Sequence, residues 1–381
     1  MEQGSGFTGN LDEPPAPSSN AAVTRAASRW LSLSSWIPRW VPTSDEALAA
    51  AERKILSYLK TPYQSRFVTV DPDPAVKRPK PYKIWTLSMN TQHPISQTPI
   101  VLVHGFGGGV GMWIHNLDAL SARRPLYAMD VLGFGQSSRP SFSSNAESAE
   151  AQFVDSIEAW RKELNLTKFI LLGHSLGAFL CASYALKYPQ HVRHLIMVDP
   201  WGMPELPSQK ETLHRQAPFW IRTAATVMQP FNPLAGLRAA GPWGPRLVTR
   251  LRPDLQRKFI DVVEEENAIF DYIYHLNAQH PSGEAAFKTM TSGFGWAKNH
   301  MSTRMGTMER TLPVSFVYGK RSWIDHSIAY TVKDNRKESF TEVIMVEGAG
   351  HHVYADMPKE FNRIVDDICQ RVDNDEIGKP L

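Results

Sequence analysis

One short segment constrains the fold of this chain more than any other. Residues 169–188 read FILLGHSLGAFLCASYALKY, an apolar run followed by a Gly-x-Ser-x-Gly turn and then by a helical pattern. In that order a buried strand turns sharply into a helix, and Ser175 stands at the tip of the turn. Gly173 and Gly177 flank the serine because side chains there would collide across so tight a turn. Ser175 is therefore the predicted nucleophile.

The rest of the chain supplies an α/β core around this turn. Five further apolar runs have the length of buried strands: 100–103, 126–129, 195–198, 314–318 and 341–346. They alternate with helical spacing, which predicts an α/β fold with a mostly parallel, doubly wound sheet. The alternation fails between about 201 and 300, where Pro, Gly, Trp and Arg dominate. Because this insertion begins where a strand of the sheet ends, it is predicted to form a lid over the site. The predicted divisions are core 64–200, helical lid 201–300 and core 301–381.

The N-terminal region is expected to have two parts. Residues 1–24 are rich in Pro, Ser, Gly and Ala and are predicted to be a disordered tail. Residues 25–63 begin with a stretch in which Trp30, Trp36 and Trp40 alternate with aliphatic side chains, and a helix follows. Indoles suit the boundary between water and lipid, so this region is predicted to be a lipid-surface anchor. Packing onto the protein's own body is the alternative.

Composition excludes several classes of protein. A formal net charge of +3 over 381 residues is too small to argue for nucleic-acid binding. Two cysteines give no disulfide framework, and the N-terminus lacks the basic and apolar regions of a secretory signal, so a cytoplasmic location is expected. No run approaches the roughly 18 apolar residues that span a bilayer. Any membrane contact is therefore predicted to be peripheral.

A catalytic serine needs two partners elsewhere in the chain. Its hydroxyl becomes nucleophilic when a base takes the proton and a third group orients that base. On this kind of sheet the chain order is serine, acid, histidine. Asp325 and His351 follow the last two strands of the pattern and are the predicted acid and base. His352 is the rival base, and Asp199, after the strand at 195–198, is the weaker acid candidate.

The developing negative charge needs two backbone N–H groups. Leu176, directly after the nucleophile, is predicted to supply one, and Phe106 in the glycine-rich run 104–109 the other. This run lacks the Lys-Ser/Thr of a phosphate loop, and the chain holds no G-x-G-x-x-G fingerprint. No metal or cofactor is expected, and acyl-CoA is considered only as a co-substrate.

The region predicted as a lid is basic. Between residues 210 and 258 the chain has nine Lys or Arg residues against Glu211 and Asp254. Arg246, Arg250 and Arg252 are the residues predicted to meet an anionic head group, an acyl-CoA phosphate or an anionic membrane surface. The alternative is an ordinary solvated face paired with the acidic run at 264–266.

Together these motifs resemble those of the α/β-hydrolase superfamily. From about Trp36 to Val372 the chain is similar to one subfamily, α/β-hydrolase domain-containing proteins four and five. The motifs that carry the resemblance are PTS (42–44), HGFGGG (104–109), DVLGFGQSSRP (130–140), LLGHSLG (171–177), DPWGMPE (199–205), FNPLAGLR (231–238), YIYH (272–275), PSGEAAFK (281–288), GWAK (295–298) and GAGHHVYAD (348–356). The motifs in the inserted region are specific, whereas the others recur across the superfamily.

The resemblance implies a role in lipid metabolism. One branch is associated with lysophospholipase or N-acyl-phospholipid hydrolysis, another with co-activation of a triglyceride lipase at lipid droplets, and relatives are credited with acyl transfer from acyl-CoA to lysophosphatidate. The subfamily's triad positions would fall on Ser175, Asp325 and His351. The vertebrate co-activators carry Asn at the nucleophile position, so Ser175 implies a chemically competent protein.

The predicted function is that of a serine hydrolase or acyltransferase acting on acyl esters of (lyso)phospholipids at lipid droplets or membranes. Water as the second acceptor gives lipolysis, and the hydroxyl of a 1-acylglycerol-3-phosphate gives acyl transfer. The alternative is a non-catalytic co-activator that binds a triglyceride lipase or a droplet coat protein. A proline-releasing aminopeptidase is disfavoured, because a substrate amine would need carboxylates where the insertion is basic.

Overall fold

The computed structural model describes residues 40–71, 81–91, 96–206, 234–293 and 295–377. The predicted tail at 1–24 lies outside these ranges, as do Trp30 and Trp36 of the predicted anchor. In the part of the chain that is described, no helix is both long and apolar enough to cross a membrane.

A single large sheet organises the described residues. Its eight strands are β1 (Tyr63–Val70), β2 (Tyr82–Met89), β3 (Ile100–Val103), β4 (Leu126–Met129), β5 (Phe169–His174), β6 (Val192–Val198), β7 (Val314–Gly319) and β8 (Thr341–Val346). Their spatial order is β1-β2-β4-β3-β5-β6-β7-β8. Only β2 runs against the others, because it pairs antiparallel with both β1 and β4 while the remaining pairs are parallel. The predicted α/β fold with a mostly parallel sheet is confirmed.

Helices cover the sheet and also lie in the described part of the segment between β6 and β7. They are α1 (Asp45–Leu56), α2 (Leu117–Ser121), α3 (Ala146–Glu163), α4 (Leu176–Lys187), α5 (Ala235–Ala239), α6 (Gly244–Leu251), α7 (Asp254–Phe259), α8 (Ala268–Ala278), α9 (Gly283–Met290), α10 (Met301–Arg304), α11 (Ser327–Asn335), α12 (Val353–Asp356) and α13 (Pro358–Asp373). Helices α5 to α9 lie within the region predicted as a lid. A hairpin of two-residue strands, at 291–292 and 296–297, follows them.

The sheet is buried on both faces, so its strands are apolar throughout rather than alternating. In β3, Ile100 and Leu102 belong to one core cluster and Val101 and Val103 to the other. The first cluster includes side chains of α1, α8 and α13, and the second includes side chains of α3 and α4. Since parallel strands end at the same edge, the loops after β3, β5, β6 and β8 meet there and form the candidate site.

Candidate active site

The turn between β5 and α4 holds Ser175 in a strained backbone conformation. Its φ of +53° and ψ of −118° fall where side chains are rarely found. A Cβ atom on Gly177 would lie 2.4 Å from the carbonyl oxygens of Val103 and His104, so only glycine fits there. The sequence pattern and the structure agree on this turn, which presents the Ser175 side chain at the carboxyl edge of the sheet.

His351 lies between Ser175 and a carboxylate. Its Nε2 atom is 3.1 Å from the Ser175 hydroxyl oxygen. Its Nδ1–H donates to Oδ2 of Asp199 at 2.5 Å, which leaves Nε2 free to accept the serine proton. The structure therefore brings a serine, a histidine and a carboxylate together in the arrangement of a catalytic triad, and their catalytic roles stay a prediction.

Asp199 is fully buried directly after β6, and three donors converge on it. Besides His351, the Gly319 N–H donates to Oδ1 at 3.3 Å and the Ser322 hydroxyl donates to Oδ2 at 2.5 Å. Such donors stabilise a carboxylate that has lost its contact with water. The same contacts fix the direction in which the carboxylate faces the imidazole.

The prediction that Asp325 orients His351 is wrong. Asp325 is exposed, and its Oδ1 accepts the N–H of Ser327 at 2.9 Å, at the start of α11. A carboxylate that accepts the N–H two residues ahead in such a turn is stabilised locally and needs no contact with the sheet edge. Asp199, the weaker candidate from sequence, contacts the histidine instead, because β6 lies directly beside β5 in the sheet.

Two further histidines surround the base. His174, the residue before Ser175, has its Nε2 2.9 Å from the backbone carbonyl of His351, and donation along this line fixes the loop that carries the base. Burial lowers the pKa of His174 well below its ordinary value, so its ring is neutral. Burial likewise lowers the pKa of His352. This residue lines the cavity, but in the described part of the chain it makes no hydrogen bond to Ser175. Of the two adjacent histidines, it is His351 that the structure places against the serine.

The two predicted oxyanion donors border the same cavity. Phe106 and Leu176 both line it together with Ser175. Leu176 is the first residue of α4, where helix N–H groups have no partner within the helix. The Phe106 N–H also makes no hydrogen bond to any residue that the structure describes. Both donors are therefore available to a ligand, and their role as oxyanion donors stays a prediction.

Hydrogen bonds of the buried side chains of His104 and Asp130 hold the glycine-rich loop after β3. The His104 Nε2 atom accepts the Val131 N–H at 3.0 Å, so its Nδ1–H donates to the Gly105 carbonyl at 2.8 Å. Burial lowers the pKa of His104 to about 4, which keeps the ring neutral. Asp130 accepts the Val110 N–H at 2.8 Å, and burial raises its pKa to about 7.

A cavity of about 570 Å³ opens above Ser175 and His351. One wall is apolar and consists of four side chains: Phe106, Leu176, Trp201 and Phe287. A second wall is polar and is formed by Arg252, Asp254, Lys258 and His352. The cavity thus combines Ser175 and His351 with apolar side chains suited to an acyl chain and with cationic side chains.

Carboxylates hold the two cationic side chains of the polar wall in place. The Arg252 guanidinium donates from Nε and Nη2 to Asp254 at 2.9 and 3.0 Å, and no recorded hydrogen bond of the described residues uses its Nη1. Lys258 lies 3.0 Å from Asp356. Asp356 also accepts the Gly350 N–H at 2.9 Å, immediately before His351. Helix α7 is therefore fastened to the loop that carries the base.

The three arginines that sequence analysis grouped together fall in two places. Arg246 and Arg250 are exposed on α6, whereas Arg252 lines the cavity. Beside α6, the Trp243 and Trp40 rings meet edge to face at 6.2 Å, and both remain largely exposed. We call Trp40, Trp243, Arg246, Arg250 and Leu251 the outer lid surface.

The family of the chain follows from this fold and site. Residues 98–358 match the family described as "alpha/beta hydrolase fold", and the chain belongs to that family. It is 49% identical over 341 residues to the mouse protein named "(Lyso)-N-acylphosphatidylethanolamine lipase", covering 90% of this chain and 96% of that one. It is 50% identical over 332 residues to human "1-acylglycerol-3-phosphate O-acyltransferase ABHD5", covering 87% of this chain and 92% of that one. The resemblance to α/β-hydrolase domain-containing proteins four and five is confirmed.

Solved structures show the same fold at low sequence identity. A membrane phospholipase A described as a bacterial virulence factor matches with a TM-score of 0.58 at 18% identity, covering 93% of this chain and 99% of that one. The naproxen esterase of Bacillus subtilis matches with a TM-score of 0.57 at 14% identity, covering 84% of this chain and 96% of that one. Such distant similarity concerns the architecture alone.

Proposed function

We propose that this protein is a serine hydrolase or acyltransferase that acts on the acyl esters of glycerophospholipids. The observation that carries the proposal is the contact of His351 Nε2 with the Ser175 hydroxyl, with Asp199 on the other side of the imidazole. The relatives named as a lipase of N-acylphosphatidylethanolamine and as an acyltransferase of 1-acylglycerol-3-phosphate support the substrate class.

The chemistry follows from the roles of three side chains. The Ser175 oxygen attacks the ester carbonyl while its proton passes to His351 Nε2, and Asp199 stabilises the imidazolium that results. The Phe106 and Leu176 N–H groups hold the oxyanion of the tetrahedral intermediate. When the intermediate collapses, the ester bond breaks and His351 returns the proton to the departing alcohol or thiol. An acyl-serine remains.

The second half of the reaction decides between hydrolysis and transfer. Water deprotonated by His351 releases a fatty acid and regenerates Ser175, whereas a glycerolipid hydroxyl carries the acyl group away as a new ester. For transfer to 1-acylglycerol-3-phosphate we propose acyl-CoA as the acyl donor, since a thioester enters the same sequence of bond changes. Supplying both acceptors to one preparation and analysing the products measures the partition between the two routes.

The two walls of the cavity support a phospholipid substrate with a defined orientation. The acyl chain lies along the aromatic wall, where Phe106 and Phe287 pack with ring centroids 4.6 Å apart. The phosphate lies toward Arg252, whose Nη1 has no recorded partner among the described residues. Asp254 holds the guanidinium in place, so that less conformational freedom is lost when a phosphate oxygen binds.

Replacing Arg252 with Gln is expected to raise the KM for a lysophospholipid about tenfold, because a charge-assisted hydrogen bond to phosphate is lost at a partly exposed site. The KM for a neutral monoacylglycerol of the same chain length is expected to change less than about twofold, since that substrate has no phosphate. Steady-state kinetics on both substrates tests this, with Arg363→Gln on α13 as the control, because that exposed arginine neither lines the cavity nor belongs to the outer lid surface. Equal effects on the two substrates would refute a phosphate contact at Arg252.

We further propose that the outer lid surface rests on lipid droplets or membranes. The exposed indoles of Trp40 and Trp243 suit the headgroup region, and Arg246 and Arg250 beside them attract anionic lipid. The protein is then peripheral, with the site close to the surface that supplies the substrate.

The double replacement Arg246→Gln/Arg250→Gln is expected to weaken binding to phosphatidylserine-containing vesicles about tenfold or more, because each basic side chain near an anionic surface contributes about 1 kcal/mol. Binding to pure phosphatidylcholine vesicles is expected to stay unchanged. Vesicle sedimentation at low salt measures both, and Arg310→Gln/Arg363→Gln, which removes two exposed arginines elsewhere on the protein, serves as a charge-matched control. Undiminished binding to the anionic vesicles would rule out this surface.

A further inference from the structure

The glycine-rich loop after β3 carries more glycine than the oxyanion site explains. We call residues 104–111 the oxyanion loop. A Cβ atom on Gly105 would lie 3.1 Å from the Ser175 Cβ, so that glycine faces the nucleophile. Three others face a helix of the inserted region, because Cβ atoms on Gly107, Gly109 and Gly111 would lie within 2.6 to 2.8 Å of side-chain atoms of α8. The loop is thus shaped to receive that helix.

Tyr272 of α8 enters the far end of the oxyanion loop. Its hydroxyl accepts the Gly111 N–H at 3.0 Å and donates to Oε2 of Glu52 at 3.3 Å. Glu52 is itself fixed, since its Oε1 accepts the Trp85 indole N–H at 2.6 Å and the Gln136 amide at 2.8 Å. The hydroxyl therefore ties the loop to a buried network that reaches into α1 and the sheet.

Asn277, near the C-terminal end of α8, holds the loop next to the predicted oxyanion donor. Its Nδ2 donates to the Gly107 carbonyl at 3.0 Å and to the Ile273 carbonyl of its own helix at 2.9 Å. Gly107 has a φ of +67° and directly follows Phe106. An amide at this point fixes the peptide that leads away from the Phe106 N–H.

We propose that α8 acts as a clamp on the oxyanion loop, with Tyr272 and Asn277 as positioning residues that hold the Phe106 N–H toward the nucleophile. The expected effect of the clamp on kcat rests on the proposed function. Its expected effect on the conformation of the loop rests on the contacts alone. The YIYH segment at 272–275, singled out in the sequence, thereby acquires a physical role. A helix of the inserted region is then part of the catalytic apparatus as well as a cover.

The matched pair Tyr272→Phe and Tyr274→Phe tests the clamp. Both tyrosines are buried on α8, but the Tyr274 hydroxyl has no hydrogen-bond partner in the described part of the chain. Tyr272→Phe is expected to lower kcat about tenfold with KM little changed, a fraction of the loss that removing an entire oxyanion donor causes. Tyr274→Phe is expected to leave kcat unchanged.

A second pair covers the possibility that Tyr272→Phe destabilises the fold. Asn277→Leu removes the donor to Gly107 and is also expected to lower kcat about tenfold. Its control is Gln279→Met, which removes hydrogen bonds from the same region to Thr43 and Ser44 but none to the loop. If both members of this pair lower the melting temperature while only Asn277→Leu lowers kcat, a purely structural role is excluded.

Hydrogen exchange separates the clamp from the proposed function. Amides in the peptide that spans 104–113 are expected to exchange about tenfold faster in Tyr272→Phe than in the wild type, and unchanged in Tyr274→Phe, because the Gly111 N–H loses its acceptor. This readout needs no turnover, so it holds even if Ser175 proves unreactive. Unaltered exchange in this peptide, or an unaltered kcat in both clamp variants of an active enzyme, would overturn the proposal.

Discussion

Replacing Ser175 with Ala is expected to abolish labelling by a fluorophosphonate probe and to lower phospholipid hydrolysis by about 10⁵- to 10⁶-fold, because the attacking oxygen is removed. The variant should remain folded, since the side chain loses only one polar atom at a turn that the backbone fixes. Gel-based labelling and product analysis by mass spectrometry measure the two effects, with circular dichroism to check the fold.

Ser183→Ala is the control for this result. Ser183 is likewise a buried serine, on α4, but its hydroxyl donates to Glu150 in the core and the residue does not line the cavity. It should keep both labelling and turnover. Hydrolysis that survives in Ser175→Ala would place the chemistry elsewhere. A cellular lipid phenotype that Ser175→Ala fully preserves would favour the co-activator alternative, even if the wild type is labelled.

Asp199→Asn is expected to lower kcat about 10⁴-fold, whereas Asp325→Asn is expected to change it less than about twofold. An amide at 199 no longer favours the tautomer in which His351 carries its proton on Nδ1 and accepts from Ser175 on Nε2. In the described part of the chain, the Asp325 side chain makes a hydrogen bond only with the Ser327 N–H, so its replacement affects a local turn before α11. Kinetics on the two purified variants provide the comparison.

The two variants show which of the two carboxylates, Asp199 or Asp325, orients His351. A large loss in Asp325→Asn with a small one in Asp199→Asn would show that the loop after β7 supplies the acid in the working enzyme. The melting temperatures of both variants guard against a general loss of folding. The carboxylate that orients His351 is the one whose replacement lowers kcat without lowering the melting temperature.

Much of the site was predictable because its residues carry local signals. Ser175 is marked by glycines two positions away on each side, and the apolar run before it identifies the strand that ends there. His351 is marked by the turn that follows β8. Both signals depend on neighbours within a few residues, which is the range over which backbone sterics act.

The choice of acid was not predictable in the same way. Asp199 and Asp325 each follow a strand that ends at the same edge of the sheet, so their sequence contexts are alike. The path of the loop after β7 distinguishes them. This path places Asp325 just before α11, and it brings the Ser322 hydroxyl into a hydrogen bond with Asp199. Contacts between residues 123 positions apart leave no trace in either local pattern.

The role of α8 was hidden for a related reason. The glycine run at 104–109 predicted a turn that supplies an oxyanion donor, but it did not indicate which segment packs against that turn. Tyr272 and Asn277 have the appearance of ordinary residues on a helix, and only their contacts with Gly111 and Gly107 show the connection.

The amino-acid order alone determined the α/β architecture, the serine at its strained turn and the histidine that serves it, because strand burial and tight-turn geometry are set by adjacent residues. Only the tertiary structure decided which carboxylate faces the imidazole, which arginine enters the cavity and which helix braces the oxyanion loop. These are matters of where distant segments meet, and that is fixed by the packing of the whole sheet and its covering helices rather than by any short stretch of sequence.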